Sequence, residues 1–358
     1  AMLQSKLMAT LDRAKVAQAQ REDEWCKRVV HCMTTKSGNK GDKKDDDEDV
    51  FMKKEAQLCK MREGLLYRMQ KGKELLVIPK AQRGCILDEL HSSLFGGHLG
   101  VERTLSRITQ NYWWPGVKQD VKEYIRTCPA CNARNHGQRH EAPPLAPEPR
   151  ISRPFERIGI DFMEEPQSAR GNHAVLVVID HATKWVEAKA CSDQTAETAA
   201  RFVFENIICR HGAPKEIWSD RGKCFMGEVM AHLSKLCGIE QRFTSGYHPQ
   251  TNGLTERMNR TINEMLAKAV ADNQRNWDDL LPALVWSYNT SKHSATGYSP
   301  FELNHGHAPV LPLDAKLQDD SVPLRASEWV RTLGEQVKML QNANLANQKK
   351  AAAAQAAQ

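Results

Sequence analysis

Four side chains constrain this chain more than any other feature. Six residues separate His91 from His98, 29 more separate His98 from Cys128, and the run CPAC adds Cys131. Two imidazoles and two thiols are donors suited to tetrahedral zinc, and four protein ligands leave no open position, so the ion would be structural. The segment that carries them has about eighty residues, near the size at which burial alone gives marginal stability, so a bound ion would contribute folding free energy directly. The CxxC pair alone is a weak signal, since His91 could cap a helix and His98 sit in a Gly-rich turn. The four together, in a segment holding little else able to fold it, outweigh that. The remaining cysteines of the ten are scattered, which speaks for a reducing compartment and a metal site rather than a disulfide framework.

Around this quartet the chain divides by composition. Its 358 residues exceed one ordinary domain. Residues 1–35 read as one helix, and KSGNKGDKKDDDED, from Lys36 to Asp49, reads as a solvated linker. Together they make a first region, 1–50. In region 51–140, GLLYRMQKGKELLVIP reads as a β-hairpin. Three helical patterns follow, marked by Ile86, Leu87 and Leu90, then Val101, Leu105 and Ile108, then Val117, Val121, Tyr124 and Ile125. A Pro-rich linker (141–154, with EAPPLAPEP) closes that region. From 155 to 310 the rhythm is α/β: FERIGIDF, AVLVVID and KWVEAKA as strands, a helix from Thr195 to His211, strands near Ile217 and Ile239–Phe243, and three more helices. Residues 311–358 read as a helical tail. A start at Ala1 rather than methionine suggests a piece of a longer product.

Composition excludes some classes. With 41% hydrophobic residues and no apolar run near the ~18 residues needed to cross a bilayer, the chain does not read as a membrane protein. The net charge is +6, and Phe51–Ala142 alone holds 16 Lys/Arg against 9 Asp/Glu, an excess of seven. Such a local positive field suits a polyanionic partner.

Three carboxylates carry the second signal. Asp161 lies inside RIGIDF, where burying an unpaired carboxylate would cost several kcal/mol, so something cationic should face it. Asp220 follows a short strand in EIWSDRGKCF. Glu256 opens a helix in NGLTERMNR, with 35 residues between it and Asp220. Each has a structural explanation on its own: an end-of-strand acid, a turn residue before Gly222, and a first-turn acid favoured by the helix dipole. In the last helix Leu254, Met258, Ile262, Met265 and Leu266 form an apolar stripe, and Glu256 falls on the opposite face beside Arg260 and Asn263. Asp180 ends an apolar strand and reads as structural.

These motifs resemble a known family. HSSLFGGHLGVERTL with YWWPGVKQDVKEYIRTCPAC is similar to the His-His-Cys-Cys domain of gypsy-type long-terminal-repeat retrotransposon integrases. SDRG, YHPQTNG, ERMNR and WSYNTSKHSATGYSPFELNHG are similar to their catalytic core. The resemblance implies a multidomain chain: a zinc-stabilised three-helix HHCC domain plus an α/β, RNase H-like core with a five-stranded mixed sheet. It implies that Asp161, Asp220 and Glu256 form a catalytic triad holding two Mg²⁺ or Mn²⁺ ions, with Asp161 bridging them, and that one structural Zn²⁺ is held by His91, His98, Cys128 and Cys131. The implied activity is metal-dependent polynucleotidyl transfer, trimming 3′ ends of element DNA and joining them to target DNA. Tyr247, His248, Gln250, Arg257 and Arg260 are candidate DNA contacts. The implied partners are double-stranded DNA, further copies of the chain as a dimer or tetramer, and chromatin. The implied site of action is the nucleus, after translation within a polyprotein. The family's usual C-terminal β-barrel is not recognisable after 311. Two other readings are a domesticated or decayed relative that binds DNA or chromatin without catalysis, and a plain RNase H-type nuclease, which leaves the zinc quartet and the 35-residue spacing unexplained.

Overall fold

The computed structural model describes residues 12–34, 47–132, 153–243, 253–270 and 274–317, with residues 339 and 344. They form two compact units. One draws on Ala1–Gly96, Gly100–Thr127 and Val310–Pro323, the other on Gly97–Leu99, Cys128–Pro309 and Leu324–Gln358.

The first unit opens with two helices where the sequence suggested one. Helix α1 (Arg13–Glu22) and helix α2 (Glu24–Thr34) part at Asp23, whose backbone is extended. The Asp23 carboxylate accepts from the N–H of Cys26 at 3.0 Å and of Lys80 at 2.8 Å, so one side chain restarts a helix and ties it to a distant segment. Residues 35–46, most of the expected linker, lie outside the described residues; its acidic end opens α3 (Asp47–Gln57). The expected hairpin is part of a three-stranded meander: β1 (Cys59–Arg62), β2 (Leu65–Gln70) and β3 (Lys73–Val77), all antiparallel. Both turns have two residues at positive φ, Glu63–Gly64 and Lys71–Gly72, the backbone that twists a tight hairpin correctly. Gln20 of α1 is buried; it donates to the carbonyls of Leu66 and Val77 and accepts from the N–H of Leu66, bridging two strands.

The three helical patterns appear as α4 (Arg83–Leu87, continuing as a wider turn through Ser92), α5 (Val101–Asn111) and α6 (Val117–Thr127). Between the last two, β4 (Tyr112–Trp113) runs parallel to β3. A four-residue turn, α7 (Pro129–Asn132), follows in the second unit.

The second unit is built on β5 (Arg157–Glu164), β6 (Ala174–Asp180), β7 (Val186–Cys191), β8 (Glu216–Ser219) and β9 (Glu240–Phe243). The sheet order is β7-β6-β5-β8-β9. The first three strands are antiparallel, while β8 and β9 are parallel to β5, a mixed sheet as expected. Every residue of β6 is buried, so helices must cover both faces. One face is packed by α8 (Ala196–Phe202, continuing to His211) and by α9 (Lys223–Met226) and α10 (Glu228–Cys237), which part at Gly227. Ile158, Ile160, Leu176, Val178, Val203 and Met230 meet there. The alternate residues of β5 face α11 (Gly253–Ala269). Helix α12 (Trp277–Asn289) packs on β7. Its Asn289 accepts from the N–H of Val186 and donates to the carbonyl of Val186. Short helices α13 (Pro300–His305) and α14 (Asp314–Leu317) follow, α14 in the first unit. The expected tail helix lies almost wholly outside the described residues.

Candidate metal centres and family

The ligand atoms of His91, His98, Cys128 and Cys131 lie within 4.8 Å of one another. The Nδ1 of His98 is 3.4 Å from the sulfur of Cys128 and 3.8 Å from that of Cys131. A tetrahedral zinc ion bound at ordinary lengths separates nitrogen and sulfur ligands by roughly 3.5 Å, so the donors fit the ion. Local backbone explains the spacing. His91 ends the wide turn after α4, fully buried, with its ring edge-on to Tyr124 of α6. Gly96 packs so tightly that a Cβ there would come within 2.6 Å of the His91 backbone. Gly97 and His98 then take positive φ, bending the chain back within seven residues. Burial first, and then the adjacent Cys128, push the Cys131 thiol up to about 11. A bound cation offsets both effects, which couples metal uptake to thiol deprotonation.

The second candidate site draws on the neighbouring parallel strands β5 and β8. Gly159 pairs with Trp218 between them; Asp161 lies two residues beyond that pair inside β5, and Asp220 two residues beyond it, directly after β8. Asp161 is half-buried. Its Oδ1 accepts from the N–H of Phe162 at 2.9 Å, and its Oδ2 accepts from the Nδ2 of Asn259 at 2.8 Å. Asp220 is exposed, and its Oδ1 accepts from the N–H of Gly222 at 2.9 Å. Both carboxylates bear on one thiol: Cys224 is pushed up by burial first, then by Asp220, and further by Asp161.

Glu256 lies in the first turn of α11, three residues before Asn259. Its side chain is outside the described part, as are Tyr247, His248 and Gln250. Arg257 and Arg260 are exposed on α11, and Met258, Ile262, Met265 and Leu266 are buried, which is the division of faces the apolar stripe predicts. Sequence reasoning missed Asn259 and Cys224; the one available signal was that Asn259 lies a helical turn from Glu256. Asp180 is fully buried and accepts four hydrogen bonds, from the N–H groups of Phe155, Ala182 and Thr183 and the Thr183 hydroxyl, so it is a turn-forming acid.

Residues 78–137 match the integrase zinc binding domain, and residues 151–249 and 237–300 match models of the integrase core domain. The Tf2-3 and Tf2-4 transposon polyproteins of Schizosaccharomyces pombe are 28% identical over 294 residues, covering 81% of this chain and 22% of each polyprotein. This chain therefore spans about a fifth of the length of those relatives. A crystal structure of the catalytic core domain of BIV integrase aligns at 22% identity and a TM-score of 0.35, covering 42% of this chain and 93% of that one. An integrase zinc-binding module ahead of an integrase core, together with relatives among transposon polyproteins, supports a gypsy-type long-terminal-repeat retrotransposon integrase.

Proposed function

We propose that the chain trims the 3′ ends of element DNA and joins them to target DNA. What supports this reading is that Asp161 lies on β5 and Asp220 directly follows the neighbouring β8, both bearing on Cys224, while α11, which carries Glu256, is tied to Asp161 through Asn259. Hard carboxylate oxygens suit Mg²⁺ or Mn²⁺. Asp161 would be shared between two such ions, with Asp220 completing one site and Glu256 the other. When bound, an ion pair acidifies an attacking water or hydroxyl and compensates charge on the leaving oxygen. Asn259 holds one oxygen of Asp161 and so fixes which lone pairs face the reacting phosphate. In trimming, water attacks the phosphorus, and the 3′ oxygen of the retained strand leaves and takes up a proton. In joining, that 3′ hydroxyl attacks a target phosphodiester and displaces a target 3′ oxygen, so no covalent enzyme intermediate is required.

The His-Cys quartet would hold one Zn²⁺. Arg257, Arg260, Tyr247, His248 and Gln250 would contact DNA phosphates or the DNA end, and the excess of seven positive charges over 51–142 would add salt-sensitive affinity. Action on chromosomal DNA implies work in the nucleus as a dimer or tetramer, with chromatin as a further partner, after release from a polyprotein. The test is a strand-transfer assay with the element's own end sequence in Mg²⁺ or Mn²⁺. Joined products that vanish with chelator are expected. DNA binding without cleavage or joining in either metal would overturn the reading.

A further inference from the structure

Gly159 precedes Asp161 by two residues on β5, so both occupy one face of the strand. Helix α11 meets that face twice, at Gly159 through Thr255 and at Asp161 through Asn259. Four residues of helix rise about 6 Å and two of strand about 6.6 Å, so helix and strand run in step between those points. Glu256 lies in the turn between them. A Cβ on Gly159 would come within 2.4 Å of the Thr255 Oγ1 and 3.2 Å of the His181 Nε2. The backbone at Gly159 lies in an ordinary strand, so conformation does not demand glycine there. Glycine within a strand is less favourable than alanine, and it marks a close approach of another segment. Thr255 and His181 are 0% and 4% exposed, and among the described residues the Thr255 hydroxyl and both imidazole nitrogens make no hydrogen bond. Buried polar atoms left unpaired are destabilising, so this contact is kept against a standing penalty.

We propose that Gly159 and Thr255 act as a depth stop: their contact sets how closely the first turn of α11, and Glu256 with it, approaches Asp161. They are positioning residues, not ligands, and the proposal rests on the reading of Asp161, Asp220 and Glu256 as a metal-binding set. A methyl at 159 pushes the helix outward and opens the ligand set. Removing the Thr255 hydroxyl makes room for it.

The full chain is titrated with Mn²⁺ alone, by the paramagnetic resonance of the free ion, and single-turnover cleavage of a DNA end is measured alongside. Gly159→Ala is expected to weaken Mn²⁺ binding about fivefold and slow cleavage at least ~tenfold, with DNA affinity unchanged. Adding Thr255→Ala should restore both to within about threefold. Thr255→Leu, which pushes from the helix side, should reproduce the loss even if Gly159→Ala folds poorly. Native Mn²⁺ binding in Gly159→Ala, when Asp161→Asn abolishes it, would overturn the depth stop and leave the ligand reading standing. So would a double variant that regains melting temperature but not Mn²⁺ binding. Unchanged binding in Asp161→Asn would instead remove the ligand reading, and the depth stop with it.

Discussion

The Nδ2 of Asn259 donates to the Oδ2 of Asp161 across 2.8 Å, joining α11 to the central strand at the residue on which the proposed chemistry depends. An ionised carboxylate can only accept, so the amide orientation is fixed by its partner. Hydrogen bonds to charged groups contribute about 1.5–3 kcal/mol. Asn259→Ala should therefore slow DNA-end cleavage by roughly ten- to hundredfold with little change in DNA affinity. Asn259→Asp should be worse, because it places a like charge against Asp161. Cleavage at the native rate in Asn259→Ala would show that Asp161 is held adequately by other contacts.

For the His-Cys quartet, Cys128→Ser should release the metal and unfold residues 64–135 while the α/β unit keeps its structure. A hydroxyl is a far poorer zinc ligand than a thiolate, and this segment draws folding free energy from the ion. Stoichiometric zinc in the purified variant, measured by atomic emission, would refute the assignment.

In the first unit, the Tyr112 hydroxyl donates to Asp314 at 2.5 Å, and the other Asp314 oxygen accepts from the N–H of Leu311 at 3.0 Å. Burial first, and then the Asp314 charge, push the Tyr112 phenol up. Arg107, 2% exposed, donates to the carbonyls of Phe95 and Gly96, and burial lowers it to about 10 against the opposing pull of Asp314. Asp314→Ala removes the acceptor of the buried Tyr112 hydroxyl and of the Leu311 N–H along with the charge that offsets the burial of Arg107, at about 1–3 kcal/mol for each buried group left unpaired. Urea unfolding should show the loss, and Asp314→Asn, which keeps an acceptor for Tyr112, should recover only part of it. Equal midpoints for native protein and Asp314→Ala would mean that the segment after 310 contributes no stability to this unit.

How much of this could be read from the sequence depends on whether a residue's role is written in its type and near neighbours. His91, His98, Cys128 and Cys131 declare themselves because only metal chemistry needs that donor set at that spacing. Asp161 and Asp220 stand out in the sequence as an acid inside one apolar strand and an acid directly after another. Asn259 and Thr255 do not, since each acts on a strand almost a hundred residues earlier and only the crossing of α11 over β5 reveals it. The single helix expected over 1–35 is two because Asp23 caps the second, and a capping acid inside a polar stretch has no periodic signature. Strand β1 was missed because CKMR is four residues long, with only Cys59 buried.

His181 gives a pH dependence with a definite sign. Burial first, then Lys184 and Arg157, lower its imidazole to about 3, so the native state holds it neutral. Unfolded, it titrates near 6.5. Between those values the unfolded chain binds the proton and the native chain does not, so stability is full above about pH 6.5 and falls with acidification toward pH 3. The slope from this group approaches about 1.4 kcal/mol per pH unit. His181→Phe should flatten the urea-midpoint profile between pH 6.5 and 4.5 relative to native protein. Parallel profiles would show that the imidazole is protonated in the folded state.

The replacement of Asp161, Asp220 and Glu256 tests whether three acids act as one unit. Asp161→Asn, Asp220→Asn and Glu256→Gln each keep size and remove one hard anionic ligand. If each ligand stabilises about 4 kcal/mol of transition-state charge, each single change slows end trimming and joining by roughly a thousandfold. The losses should not add, because once the metal pair is disturbed a second replacement has little left to remove. DNA affinity and zinc content should survive all three. The choice of control follows from the geometry. Asp180→Asn is unsuitable, since Asp180 accepts four hydrogen bonds through both oxygens and an amide cannot replace them. Glu197→Gln, at an exposed position of α8 where Glu197 pairs with Arg201 at 3.2 Å, should leave the fold intact and keep the native rate. If instead the Asp161→Asn/Asp220→Asn double variant loses the product of the single losses, about a millionfold, the two carboxylates act independently and a shared metal pair is the wrong description of this site.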